Sequence, residues 1–259
     1  MLSEVLNVSP EWSAHFLLVL ARLSAAIVAT PLLGARSVPA QTKIGLALLL
    51  SLIVVPLQAK ELTPIPTNLF VFVTLAGSEV LVGIALGIGV SLVFSAMEMG
   101  ASMVSVQMGF GLSGVLDPLS GQQTGAMEQF YRIFVTLIFF TMNGHYLVIR
   151  GLIQTFEVVP AGTADLSLIA GARIVPFFAS LFVAAVQVAL PAMGALLLTD
   201  LALALVGRTV PQLNILVVGF PVKIGVGLIV LAASMPLMTL FISGVFGRAL
   251  VDVNRLLVP

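Results

Sequence analysis

The sequence predicts an all-α integral membrane protein of about six long apolar helices and hairpins. Three observations carry that expectation. The 259 residues are 59% hydrophobic and 8% charged, with a mean hydropathy of +1.18, whereas soluble domains carry about 25% charged residues. Uncharged runs recur, one of them covering 174–199. Near the middle, the stretch QMGFGLSGVLDPLSGQQ at 107–123 breaks the helical pattern.

This stretch holds Gly109, Gly111, Gly114 and Gly121. Each glycine costs about 1 kcal/mol against alanine in a helix interior, so a helix is disfavoured. Pro118 pushes Asp117 out of the α region and marks a turn. Met108, Phe110, Leu112, Val115, Leu116 and Leu119 nevertheless make the loop apolar. Such a segment is tolerated at membrane depth only inside protein or along a cavity. Gly109-Phe110-Gly111-Leu112-Ser113-Gly114 also fits G-x-G-x-x-G, but a dinucleotide site needs a strand before it, and the residues before it read as helix.

The first helix is expected over 12–33, introduced by Ser9-Pro10-Glu11 and containing Arg22. A charge at that depth faces a protein partner or water. The second helix, 43–57, is short for a span of about 20 residues. The third apolar run, 68–106, is too long for one simple span and carries Glu79. Within it, Gly83-x-x-x-Gly87 permits close helix packing. Met97, Met99, Met103 and Met108 lead into the loop as deformable packing residues. The fourth helix, 125–150, contains Arg132 and ends near Asn143-Gly144-His145, and 151–171 reads as a linker. The fifth helix, 173–206, holds Pro176 and Pro191, both positions for a kink. Pro211-Gln212-Leu213-Asn214 makes a turn before the last helix, 221–246, which opens near Lys223.

Six spans place Arg36, Lys43, Arg208 and Lys223 on one side and Lys60, Arg150, Arg173, Arg248 and Arg255 on the other. That balance sets no orientation under the positive-inside rule. Arg22, Glu79 and Arg132 are read as structural buried charges at protein contacts. Arg22 pairs either with Glu79 or with another chain.

Other classes find little support. With no cysteine and two histidines, His15 and His145, neither disulfides nor a Cys- or His-based metal site is expected. The N-terminus lacks a basic region and a small-residue cleavage site, so no cleaved signal peptide is expected. Zero net charge gives no basis for nucleic-acid binding. No H-E-x-x-H or G-x-S-x-G motif is present, so no catalysis and no cofactor are expected. The rival reading is a small-molecule or ion transporter using Glu79, Arg132 and Asp200 as intramembrane charges.

Several segments resemble the FliR/SctT family of type III export-gate proteins, on the flagellar side. Arg22 followed by Pro31, Gly34, Val38-Pro39 and Lys43 is similar to the family's opening. Gln107-Met108-Gly109 followed by Asp117-Pro118 resembles its central loop. Asn143-Gly144-His145 and Phe156-x-x-x-Pro160 resemble the next stretch. The most specific likeness is Pro211-Gln212-Leu213-Asn214 followed by Val218-Gly219-Phe220-Pro221-Val222-Lys223. The resemblance covers about 22–240.

It implies one copy of this chain with about five FliP and four FliQ chains in a right-handed helical pore assembly. The assembly lies at the flagellar basal body in the bacterial inner membrane, beside FlhB and FlhA-type export proteins. It passes unfolded flagellar substrates, with energy supplied elsewhere. It further implies a FliP-like part at 1–186 and a FliQ-like hairpin and tail at 187–259, turning near Pro211, Gln212 and Asn214. The central loop becomes a pore plug made of Gln107, Met108, Gly109, Phe110, Gly111, Leu112, Gly114, Val115, Leu116, Asp117 and Pro118. Phe110, Leu112, Val115 and Leu116 are read as a dry seal, and the glycines as what lets it move.

Overall fold

The computed structural model describes residues 10–35, 37–58, 68–110, 125–163, 174–212 and 214–256. They form seven helices and no strand: α1 (Pro10–Ala29), α2 (Ala40–Leu57), α3 (Leu69–Met108), α4 (Ala126–Thr141), α5 (Gly144–Val158), α6 (Ile174–Thr209) and α7 (Ile215–Leu256). Five of them are long and apolar enough to cross a membrane, and the broken pair α4–α5 makes up to six.

Helix ends follow local chemistry. α1 stops at Ala29, earlier than expected, because the Thr30 hydroxyl donates back to the Ala26 carbonyl at 2.8 Å and Pro31 follows. Gly34 closes that turn, its N–H donating to Thr30 O at 2.7 Å. A Cβ at Gly34 would overlap the Val28 and Thr30 carbonyls. The Lys43 ammonium donates to Gly34 O at 2.8 Å and ties α2 to the turn. α2 begins at Ala40, directly after Pro39. At the start of α3, the Asn68 side chain accepts from the Phe70 N–H at 2.9 Å, a side-chain N-cap.

The apolar run expected to be too long for one simple span is a single helix of 40 residues. Its mid-helix glycines serve packing. A Cβ at Gly83 or Gly87 would run into the α1 backbone at Arg22 and Ala26 and crowd the Ala25 and Ala29 side chains. The Ser91 hydroxyl donates to Ala29 O at 2.8 Å along the same seam. α3, α6 and α7 have 40, 36 and 42 residues, roughly 54 to 63 Å at about 1.5 Å per residue. The hydrocarbon layer is about 30 Å thick, so no upright placement keeps all of any one of them in lipid.

The fourth helix also differs from expectation. It ends at Thr141, and a second helix runs from Gly144 to Val158 through what read as a linker. The break is Asn143, held in the left-handed region at φ 55° and ψ 37°. Its carbonyl then accepts the N–H groups of Tyr146 and Leu147 and starts α5. α7 starts at Ile215, six residues before the proline expected to open it, and Pro221 and Pro236 lie inside it.

The chain divides into two compact units. One is formed by described residues of Met1–Leu92, Asn143–Phe177 and Phe246–Pro259, with a core that includes Leu18, Leu23, Ile27 and Phe156. The other is formed by Val93–Met142 and Phe178–Val245, with a core that includes Met97, Met108, Tyr131 and Leu196.

Left-handed backbone costs an ordinary L-residue about 1–2 kcal/mol, with Asn and Gly the usual exceptions. Asn143→Gly is therefore expected to be neutral, and Asn143→Val to destabilise by about 1–2 kcal/mol. Thermal unfolding of the chain in the membranes of its own cells, read by protease resistance, measures both.

Candidate functional site

The root of the glycine loop is a helix ending. Gln107 and Met108 belong to the last turn of α3, so the loop begins two residues later than its composition implied. Gly109 takes φ 94°. Its N–H donates to Val106 O, and the Phe110 N–H donates to Ser105 O, both at 3.0 Å. These two bonds are a Schellman cap, which requires a residue comfortable in the left-handed region. Of the expected plug residues, Gln107, Met108, Gly109 and Phe110 are described. Gly111, Leu112, Gly114, Val115, Leu116, Asp117 and Pro118 lie outside the described residues.

α6 and α7 form the surface against which this root sits. Their facing positions run in antiparallel register. A Cβ at Gly207 would overlap Ile215, and one at Gly219 would touch Leu203 Cδ1 at 3.5 Å. Next along the same register, the Lys223 ammonium lies 2.5 Å from Asp200 Oδ1. Asp200, Leu203 and Gly207 share one face of α6 by helical spacing, and the α7 positions match them. Between the helices, Pro211 and Gln212 lie in the turn, and Asn214 O accepts the Val217 and Val218 N–H groups at 3.0 and 3.2 Å.

The end of α3 meets this pair at three points. Gln107 Nε2 donates to Asp200 Oδ2 at 2.9 Å. The Phe220 ring occupies the place a Cβ at Gly109 would take. Met108, fully buried, packs so closely on Gly227 that a Cβ there would stand 2.7 Å from Met108 Cε. Phe220, Lys223 and Gly227 are spaced i, i+3 and i+7, so one face of α7 receives the root. The expected site contained Gln107 without its partners Asp200 and Lys223. Their roughly equal distances from the Pro211 turn were the available signal.

The second polar cluster belongs to the other unit. Arg22 and Glu79 are both 0% exposed and pair at 2.5 Å, Nε to Oε2. Arg22 Nη1 donates to Val159 O at 2.9 Å and to Thr155 O at 3.2 Å, both at the C-terminus of α5. A cation is favoured there by the helix dipole. Phe156 stacks under the guanidinium, 4.2 Å from ring centre to Cζ, a favourable cation–π distance. Glu79 Oε1 accepts the Gly162 N–H at 2.8 Å, and Gln58 Nε2 donates to Phe156 O at 3.2 Å. One ion pair thus joins α1 and α3 to the end of α5 and the turn that follows it. This decides the alternative left open by the sequence: Arg22 pairs with Glu79.

Arg132 is not buried within the chain itself: its side chain is 48% exposed and pairs with Glu98 at 2.9 Å. Glu79, Arg132 and Asp200, the charges of the transporter reading, each have their own counter-ion in the chain. Among the described residues, no group of three or more His, Cys, Asp or Glu side chains forms a metal site.

Removing one partner of a buried ion pair strands the other charge, at a cost of about 3–5 kcal/mol. Arg22→Met and Glu79→Gln are each expected to destabilise on that scale. The double variant should cost clearly less than their sum, because the stranded charge disappears. Thermal unfolding of the parent and the three variants in the membranes of their own cells, read by protease resistance, completes the cycle.

Residues 13–249 match the family described as bacterial export proteins, family 1. The chain is 34% identical over 250 residues to flagellar biosynthetic protein FliR of Bacillus subtilis (strain 168), covering 93% of this chain and 94% of the relative. It is 33% identical over 238 residues to FliR of Escherichia coli (strain K12), covering 92% and 90%. Against FliR of Aquifex aeolicus (strain VF5) it is 30% identical over 239 residues, covering 92% of each. These similarities agree with the resemblance read from Pro211 to Lys223, and they show that the chain belongs to the bacterial export proteins, family 1.

Proposed function

We propose that this chain is a core subunit of a flagellar type III export gate in the bacterial inner membrane. With FliP and FliQ it forms the pore through which unfolded flagellar proteins leave. FlhB and FlhA-type proteins feed the pore, and the energy comes from outside this chain. In this reading 1–186 is a FliP-like part and 187–259 a FliQ-like hairpin and tail. The chain itself is no enzyme.

The observation that carries the reading is the anchored loop root. A long helix ends in a glycine cap, and that cap is seated on a matched face of the α6–α7 pair. An apolar loop held at a fixed root suits a plug, whose closed position must be reproducible and whose tip must move. Hydrophobic constrictions close pores by excluding water. The surfaces of the helices support the same reading. Only 17% of the apolar window of α7 and 22% of that of α2 is buried within the chain. Such surface calls for partner helices or lipid.

Two measurements test the proposal. Native mass spectrometry of the chain co-expressed with FliP and FliQ should find one copy in a large mixed complex, and little stable chain without them. A stable self-contained monomer or homodimer that ignores those partners would sink the reading. Deleting 111–116 in the assembled complex should raise ion leakage across the membrane several-fold while the complex still forms. Unchanged tightness would remove the plug role.

A further inference from the structure

We propose that Asp200 is the positioning residue of the loop root, binding the last turn of α3 to the α6–α7 hairpin through Gln107 and Lys223. The functional importance of that root rests on the plug reading, but the joint itself is argued from geometry.

The two carboxylate oxygens serve two different elements. Oδ1 takes the Lys223 ammonium of α7 at 2.5 Å, and Oδ2 takes the Gln107 amide of α3 at 2.9 Å. Two further contacts of the root are apolar: Phe220 on Gly109 and Met108 on Gly227. Apolar contact is non-directional and tolerates rotation or sliding. Hydrogen bonds to an ionised group are short and directional, so the Asp200 contacts set the rotation and height of the last turn. Lys223 holds the Asp200 carboxylate in place, and the antiparallel register of Gly207 with Ile215 and Leu203 with Gly219 places Lys223 opposite it. Asp200 and Lys223 are 36% and 22% exposed, partly open to solvent, in contrast to the sealed Arg22–Glu79 pair. A joint of this kind releases without stranding a charge in an apolar core. The loop would therefore follow displacement of the hairpin, which connects an event on α6–α7 to the loop.

The competing explanation is that Asp200 and Lys223 only staple the hairpin and that Gln107 is incidental. The chain has no cysteine, so a cysteine placed at Phe110, three residues beyond Gln107, reports on the root. The assembled membrane complex carrying Phe110→Cys is reacted with a membrane-impermeant maleimide, alone and combined with Gln107→Leu, Asp200→Leu or Asp200→Glu. Gln107→Leu and Asp200→Leu are expected to speed labelling several-fold at unchanged complex yield, and Asp200→Glu to stay near the parent rate. Faster labelling with Asp200→Leu but not with Gln107→Leu would mean hairpin stapling only and would overturn the proposal, as would no change in either. If Asp200→Leu lowers the yield, Gln107→Leu decides alone, since it removes one amide and leaves the ion pair intact. A tight 111–116 deletion together with faster labelling would sustain the joint and remove the plug reading.

Discussion

A guanidinium and a carboxylate held out of water, Arg22 and Glu79, fix the arrangement of their unit. Desolvating two charges is expensive, and such a pair contributes little net stability compared with apolar residues of the same shape. Its effect is to make alternatives costly. Arg22 must reach Glu79, Val159 and Thr155 together, so α1, α3 and the end of α5 have one acceptable register. Gly83 and Gly87 bring α1 and α3 close enough for that reach. Any slip along the seam would leave a bare charge among leucines and phenylalanines.

The other unit uses charge differently. Its ion pairs, Glu98–Arg132 and Asp200–Lys223, are partly exposed, and exposed pairs are weak and screened by salt. They direct contacts between helices without locking them. The tight fit there comes from alternation of small and large residues: Gly207 opposite Ile215, Gly219 opposite Leu203, Gly227 against Met108. One unit thus carries an ion pair sealed from solvent, and the other carries ion pairs partly open to it.

The helical, membrane-embedded character was legible because composition alone decides it, and the turn at Pro211 because proline and asparagine signal locally. Helix ends were less legible. The break after Thr141 depends on Asn143 adopting a left-handed conformation, which no periodicity reveals, so the helix read as continuous to Arg150. The spacing of Gly83 and Gly87 announced a close helix contact but not its partner, α1, which lies in another part of the chain. The same limit applies to charge. Arg22 and Glu79 are 57 positions apart, so each announces itself as anomalous without naming the other. Arg132, inside an apolar run, likewise did not announce Glu98, 34 positions earlier, as its counter-ion. Asp200 and Lys223 are the case where more was available, since a hairpin with a known turn pairs residues equidistant from it.

That pairing bears on how the chain enters a membrane. α6 is an apolar helix with an aspartate nine residues before its end at Thr209, and an aspartate within an inserting helix is penalised, by about 3 kcal/mol where it lies at the helix centre. Its counter-charge arrives only with α7, after the turn has been synthesised. Insertion of α6 by itself would carry Asp200 into the translocation machinery unneutralised, whereas insertion as a closed hairpin carries a neutral pair. The ion pair therefore favours delayed, concerted delivery of the last two helices, and it makes the final third of the chain a single unit of biogenesis.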